Sequence, residues 1–249
     1  MEENFIYGKN SVIEALTSSE REINKILILR TNHGDKKLEQ IKELSKKRGV
    51  IFQFAGKEKF KEYDGLSHQG VVALVSPVEY MDLDEFLQLE NYENSCVVVL
   101  DGIEDVHNLG AIIRTAVCAG VKGIIIPSRR SVQVNSTVEK VSAGAVNKIP
   151  IIKVNSIQSA IEKLKKLNWW VVAAEACAKD NYYDIDYTDM NFVLVMGAEH
   201  AGVSQTIMKS ADFKIKIPMM ANFNSLNVSN AFSAIIFETV RQKLSKVKN

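Results

Sequence analysis

Short, uninterrupted apolar runs place the tightest limit on how this chain can fold. Cys96-Val-Val-Val-Leu100 and Gly123-Ile-Ile-Ile-Pro127 are too short for helices and carry no polar face. β-Branched runs of this kind form strands buried on both sides, as in a parallel sheet covered by crossover helices. Further strands are expected at 149–154, 169–174, 192–196 and 213–217. Helical periodicity fits the intervening segments 109–119, 137–146, 157–167 and 204–210, and a long amphipathic helix is expected at about 228–244. The fold class is therefore α/β.

The first third of the chain reads differently. Helices at 9–17, 35–48 and 57–63 alternate with strands at 25–29, 50–54 and 71–75, and Gly49 ends the charged middle helix. This predicts a small α/β layer. Ser76-Pro77 stops its last strand, and the acidic stretch that follows contains one short helix at 83–89. The expected division is an N-terminal domain at 1–76, a linker at 77–94 and a second domain at 95–249.

Charge gives no global argument for a nucleic-acid partner, because the formal net charge is only +1. Local grouping is the alternative. Lys36, Lys37, Lys42, Lys46, Lys47 and Arg48 share one helix, with Glu39 and Glu43 interleaved. That face is either an RNA contact or merely solvated. No apolar run approaches the roughly 20 residues of a membrane span. Met1-Glu-Glu-Asn4 is acidic, unlike the start of a signal peptide, so a cytoplasmic location and no membrane partner are expected. Cys96, Cys118 and Cys177 form no CxxC pair, and each lies in an apolar stretch. Three buried free thiols are expected. The four histidines show no ligand spacing, so no metal is expected.

In an open α/β sheet, ligands bind beyond the carboxyl ends of the strands. Three such ends carry unusual turns. After Leu100, a polar loop leads into a helix near Asn108, with Leu109, Ile112, Ile113 and Ala116 on its apolar stripe and Arg114 off it. Asn108 either caps this helix or binds a ligand, and Arg114 either pairs on the surface or acts in a site. After Met196 comes Gly197-Ala-Glu199-His-Ala-Gly202. Gly197 lets a ligand approach the backbone, and Glu199 places a charge at a strand end. After Ile217-Pro218, the loop carries Asn222, Asn224, Ser225, Asn227, Ser229 and Asn230, more hydrogen-bonding groups than one cap requires. Nucleophile, histidine triad, Walker loop and dinucleotide fingerprint are all missing. One Arg, one Glu and neutral hydrogen-bonding groups suit group transfer by positioning, with a cofactor supplying the reactive group.

At these turns the sequence resembles the SpoU (TrmH-like) family of the SPOUT methyltransferase superfamily. The matching residues are Asn108-Leu-Gly-Ala-Ile-Ile-Arg114-Thr-Ala, Met196-Gly-Ala-Glu199-His-Ala-Gly202 and Ile217-Pro-Met-Met-Ala-Asn-Phe-Asn-Ser225-Leu-Asn227-Val-Ser229, in that order. Lys140-Val-Ser-Ala-Gly-Ala145 matches a shorter signature. Tyr7-Gly-Lys-Asn-Ser-Val-Ile-Glu-Ala15 and His68-Gln-Gly70 resemble the family's substrate-binding domain. One departure is Ala221, where members often have Gly; its methyl group bears on cofactor affinity.

The resemblance implies a SPOUT-type parallel sheet with a C-terminal trefoil knot, a homodimer, and S-adenosyl-L-methionine as methyl donor with no metal. It implies transfer to a ribose 2′-hydroxyl in structured RNA. The arrangement looks most like the RlmB-type enzymes, which act on a guanosine of large-subunit (23S) rRNA, with tRNA as the alternative substrate. Arg114 matches the residue proposed in the family as base. A permanently charged guanidinium fits more readily as a phosphate holder that lowers the hydroxyl pKa. Asn108, Glu199, Ser225 and Asn227 would fix the hydroxyl and the loop. Met196, Gly197, Ile217, Met219, Leu226 and Ser229 would hold the cofactor. Two rival readings are a non-catalytic RNA-binding protein of the same fold and a nucleotide-dependent oxidoreductase.

Overall fold

The computed structural model describes residues 4–18, 22–30, 35–89, 92–221 and 225–247. The chain divides into two compact units, Met1–Glu79 with Val134–Lys148, and Tyr80–Gln133 with Ile149–Asn249.

The first unit is built on a four-stranded sheet. Its elements are β1 (Phe5–Tyr7), α1 (Lys9–Ser18), β2 (Ile23–Leu29), α2 (Lys36–Arg48), β3 (Phe52–Ala55), α3 (Lys57–Phe60) with a 3-10 turn at Lys61–Tyr63, and β4 (Val71–Val75). The strand order is β1-β4-β2-β3; only β2 and β3 run parallel. Strand alternation sorts the side chains between two faces. Ile26, Ile28, Val71, Ala73 and Val75 pack with Val12, Leu16, Leu38 and Ile41 of α1 and α2. Leu27 and Val72 pack on the other side with Phe60 and Tyr63. The β3 strand begins later than expected, because Val50 N–H bonds back to Ser45 O as α2 ends on left-handed Gly49.

In the second unit the elements are α4 (Leu83–Gln88), β5 (Cys96–Asp101), α5 (Val106–Cys118), β6 (Gly123–Pro127), β7 (Ile151–Val154), α7 (Ile157–Lys166), β8 (Trp170–Ala174), β9 (Asp180–Asn181), β10 (Phe192–Gly197), α8 (Gln205–Ser210), β11 (Phe213–Lys216) and α9 (Val228–Val247); α6 (Ser136–Val141) belongs to the first unit. The sheet order is β7-β6-β5-β10-β8-β11-β9, and every pairing is parallel. One face buries Val97, Val99, Ile125, Val171, Val193 and Val195 against Phe86 of α4, Ile161 and Leu164 of α7 and Ile207 of α8. The alternate residues Val98, Leu100, Ile124, Val172 and Leu194 are equally buried. α5 and α9 pack on each other, and α9 packs on β10. Both faces are covered, as continuous apolar strands require. No helix among the described residues is long and apolar enough to cross a membrane.

Within 77–94, Leu83 and Phe86 are buried, and Met81 bridges to Ile152. Several expectations need correction. The helix expected at 137–146 stops at Val141, because Ala143 and Gly144 adopt positive φ before a 3-10 turn at Ala145–Lys148. This segment packs in the first unit, where Lys148 pairs with Glu14 at 2.5 Å and Lys140 Nζ donates to Ser67 O at 3.0 Å. A Cβ on Gly144 would stand 2.5 Å from Glu14 Cγ, so the glycine permits that contact. The expected burial of all three thiols holds only for Cys96, whose pKa burial pushes up to about 12. Cys118 and Cys177 are exposed. Cys118 is the last residue of α5, off its apolar stripe, and Cys177 lies in the turn beyond β8. The short strands β1 and β9 were not expected from periodicity.

Candidate active site

Because the sheet is parallel, the carboxyl ends of β5, β8, β10 and β11 emerge on one edge. Register places Gly197 beside Asp101, which brings the first and second turns together. The Asp101 carboxylate accepts from Ser204 N–H at 2.8 Å and ties the far end of the second turn to β5.

The second turn is a tight reversal. Gly202 N–H donates to Ala198 O at 2.8 Å, with Gly202 at φ +64°. A Cβ on Gly197 would lie 2.0 Å from the Gly202 carbonyl carbon and 2.2 Å from Val203 N. Glycine was expected here for ligand access. In the structure, the chain's own returning backbone already requires it.

The first turn also differs from expectation. Asp105, not Asn108, caps α5, accepting from His107 N–H at 2.9 Å. Asn108 sits in the first helical turn and is buried. Its Oδ1 accepts from Asn227 Nδ2 at 3.0 Å, which satisfies a buried polar group. Asn227 starts α9 in turn: its carbonyl accepts from Ala231 N–H, and its Oδ1 accepts from Ser229 N–H at 3.0 Å and Ser229 Oγ at 2.6 Å. Ser233 Oγ donates to Ser229 O at 2.8 Å and lies 3.4 Å from Thr115 Oγ1. A polar seam thus runs between α5 and α9. Asn222 and Asn224 lie outside the described residues.

Between the second and third turns lies a cleft of about 320 Å³. Its walls come from Ala174, Glu175 and Ala176 after β8, residues 196–202 after β10, Ile215, Lys216, Ile217 and Met219 around the end of β11, and Ser225, Leu226, Val228, Ala231 and Ile235 leading into α9. Met196, Gly197, Glu199, Ile217, Met219, Ser225 and Leu226, all singled out from sequence, meet here. Asn108, Asn227 and Ser229 belong to the seam instead. Arg114 is exposed on α5, off the buried stripe of Leu109, Ile112, Ile113 and Ala116. Glu175, His200 and Lys216 line the cleft but were missed. A charge directly after the apolar run 170–174 was the signal for Glu175. Only the neighbouring strand's position puts it at the cleft.

Comparison with known proteins bears on the whole chain. Residues 95–237 match the SpoU rRNA Methylase family, and residues 5–81 match the RNA 2′-O ribose methyltransferase substrate binding family. A Staphylococcus aureus (strain MSSA476) protein, grouped by name with the TrmH family tRNA/rRNA methyltransferases, is 42% identical over 248 residues, covering 98% of both chains. Among solved structures, the SpoU methyltransferase AviRb from Streptomyces viridochromogenes, in complex with AdoMet, shares the fold at TM-score 0.83 and 23% identity, covering 98% of this chain and 91% of that one. The AdoMet-bound rRNA methyltransferase from Sinorhizobium meliloti matches at TM-score 0.79 and 28% identity, covering 96% and 87%. The A. aeolicus TrmH/SpoU tRNA modifying enzyme matches 66% of this chain and 84% of its own, at TM-score 0.57 and 31% identity. With family motifs gathered at one edge of a parallel sheet and both regions matched, the chain belongs to the SpoU rRNA methylase family.

Proposed function

We propose that this protein transfers the methyl group of S-adenosyl-L-methionine to a ribose 2′-hydroxyl in structured RNA, with a guanosine of large-subunit rRNA as the target. The observation that carries the reading is the cleft itself. It is the size of a small-molecule site, and its apolar walls are interrupted by the polar side chains of Glu175, Glu199, His200, Lys216 and Ser225. Met196, Ile215, Ile217, Leu226 and Ile235 suit a flat apolar base, while Glu175 and Glu199 suit a cationic cofactor. Met196, Gly197, Ile217, Met219 and Leu226 would hold it directly, and Ser229 would hold the loop through Asn227.

When bound, S-adenosylmethionine supplies an already activated methyl sulfonium. The protein must then align the hydroxyl and ease removal of its proton. Arg114, exposed on α5, is assigned to the substrate phosphate, where a guanidinium's field lowers the hydroxyl pKa. Glu199 and Ser225 are assigned to the hydroxyl from the cleft wall. Asn108 and Asn227 fix the third loop against the first helix.

The rRNA assignment draws on the match of residues 95–237 to the SpoU rRNA Methylase family and on the likeness to the S. meliloti rRNA methyltransferase over nearly the whole chain. The tRNA modifying enzyme covers only 66% of it. The trefoil knot and the homodimer are carried as proposals from the resemblance. Calorimetry should show saturable binding of S-adenosylmethionine and its demethylated product, and no competition by NAD. Mapping 2′-O-methylation in RNA from a deletion strain should show one lost rRNA site. A site lost from tRNA instead would move the substrate, and NAD binding without a response to the methyl donor would overturn the reading.

A further inference from the structure

Beyond β6, the turn Ser128-Arg129-Arg130-Ser131 carries two adjacent arginines that the site described above does not use. Both side chains are exposed. Among the described residues, neither guanidinium has an ion-pair or hydrogen-bond partner. In α2, Lys37 donates to Asn10 Oδ1, Lys42 pairs with Glu39 and Arg48 donates to Ala15 O, while Lys36, Lys46 and Lys47 have no such partner among the described residues. Glu104 and Asp105 are close in sequence to the turn's anchor at Ile103, but Asp105 is engaged in capping α5.

The turn is held firmly. Val132 N–H donates to Ile103 O at 2.9 Å and Ser131 Oγ to the same carbonyl at 3.0 Å. Gln133 Nε2 reaches Pro127 O at 3.3 Å. A Cβ on Gly102 would lie 3.9 Å from Arg130 O, so the turn also abuts the loop that follows β5. Arg130 has φ 58°, in the left-handed region that glycine or asparagine occupies at less cost. A long cationic side chain kept in strained backbone, on a pinned turn and without counter-charge among the described residues, marks a binding role rather than a folding one.

We propose that Arg129 and Arg130 form a phosphate clamp that seats the RNA strand beside the active end of the sheet. This rests on the RNA reading above. β6 is the parallel neighbour of β5, so the turn emerges on the same edge as the loop leading to Asn108 and Arg114. Arginine forks match phosphate oxygens in pairs, and each phosphate contact releases counterions.

The test uses the full chain and a refolded large-subunit rRNA transcript, with a tRNA pool in parallel, titrated between about 50 and 200 mM salt. The double variant Arg129→Gln/Arg130→Gln should bind RNA about tenfold more weakly, with a salt slope smaller by about one to two. Its calorimetric affinity for S-adenosylmethionine should not change. Arg130→Gly should keep or raise the thermal midpoint while weakening RNA binding, and Arg130→Lys should recover part of the affinity. RNA affinity and salt slope equal to the parent's in the double variant would overturn the clamp. A parent protein that binds neither RNA would bring down the RNA reading, and the clamp with it.

Discussion

At the second turn, backbone presses on backbone: Gly197 and the Gly202-Val203 peptide leave no room for a single carbon. At the first and third turns, side chains do the holding, with Asn108 buried and bonded to Asn227 across α5 and α9. One wall of the cleft is therefore set by excluded volume and the other by hydrogen bonds. An added carbon at Gly197 would have to push main chain aside, at a cost that no side-chain rotation can relieve. A hydrogen-bonded seam contributes a modest net energy, and its larger effect appears when one partner is left alone. The two walls should fail differently under mutation.

Gly197→Ala should have the largest effect. Its methyl group meets main chain, which cannot rotate away, and destabilisation above about 4 kcal/mol is expected. Thermal unfolding checks this; a midpoint within about 2 °C of the parent would show that the wall yields. Next comes Arg114→Ala, which touches neither wall. Methyl transfer should fall by at least about a hundredfold, with unfolding and cofactor affinity unchanged, since no core cavity is made. Arg114→Lys should fail as well, because an ammonium lacks the guanidinium fork. Turnover near the parent's in either variant would remove Arg114 from the mechanism.

Asn227→Ala separates the seam from the backbone wall. It removes the α9 cap and leaves Asn108 Oδ1 buried without its partner, for a combined cost of about 2–4 kcal/mol. The double variant with Asn108→Ala should cost less than the sum of the singles, by about 0.5–3 kcal/mol. Strict additivity in denaturant unfolding would mean that the seam carries no coupling. The smallest effect on folding belongs to α2. Neutralising Lys36, Lys37, Lys46 and Lys47 together should shift stability by only about 0.5 kcal/mol. If that face contacts RNA, salt-dependent titration will show weaker binding and a flatter slope. An unchanged slope would assign α2 to solvent and leave the phosphate contacts with the second unit.

Much of this was legible in residue order. The runs at 96–100 and 123–127 became β5 and β6 with nearly those bounds, because burial on both faces demands unbroken apolar sequence. The stripe of Leu109, Ile112, Ile113 and Ala116 is fully buried, and Arg114 is exposed as its spacing required. The three polar turns stood out because strand ends in a parallel sheet need no such excess of amides and glycines.

What tertiary structure alone decided concerns partners distant in sequence. β1 and β9 are short strands whose existence depends on β4 and β11 being beside them. Ala143 and Gly144 turn the 134–148 segment onto Glu14, more than a hundred residues earlier, and so draw it into the first unit. Cys118 and Cys177 lie in apolar surroundings in sequence yet face solvent, since local hydrophobicity does not say which side of an element is covered. Gly197 was readable as essential but not as to why. Its constraint is the return of Gly202, which exists only once the turn is closed. Periodicity reports which residues want to be buried. Which element buries them, and which strand ends converge on one cleft, follows from sheet order, and local sequence does not encode that order.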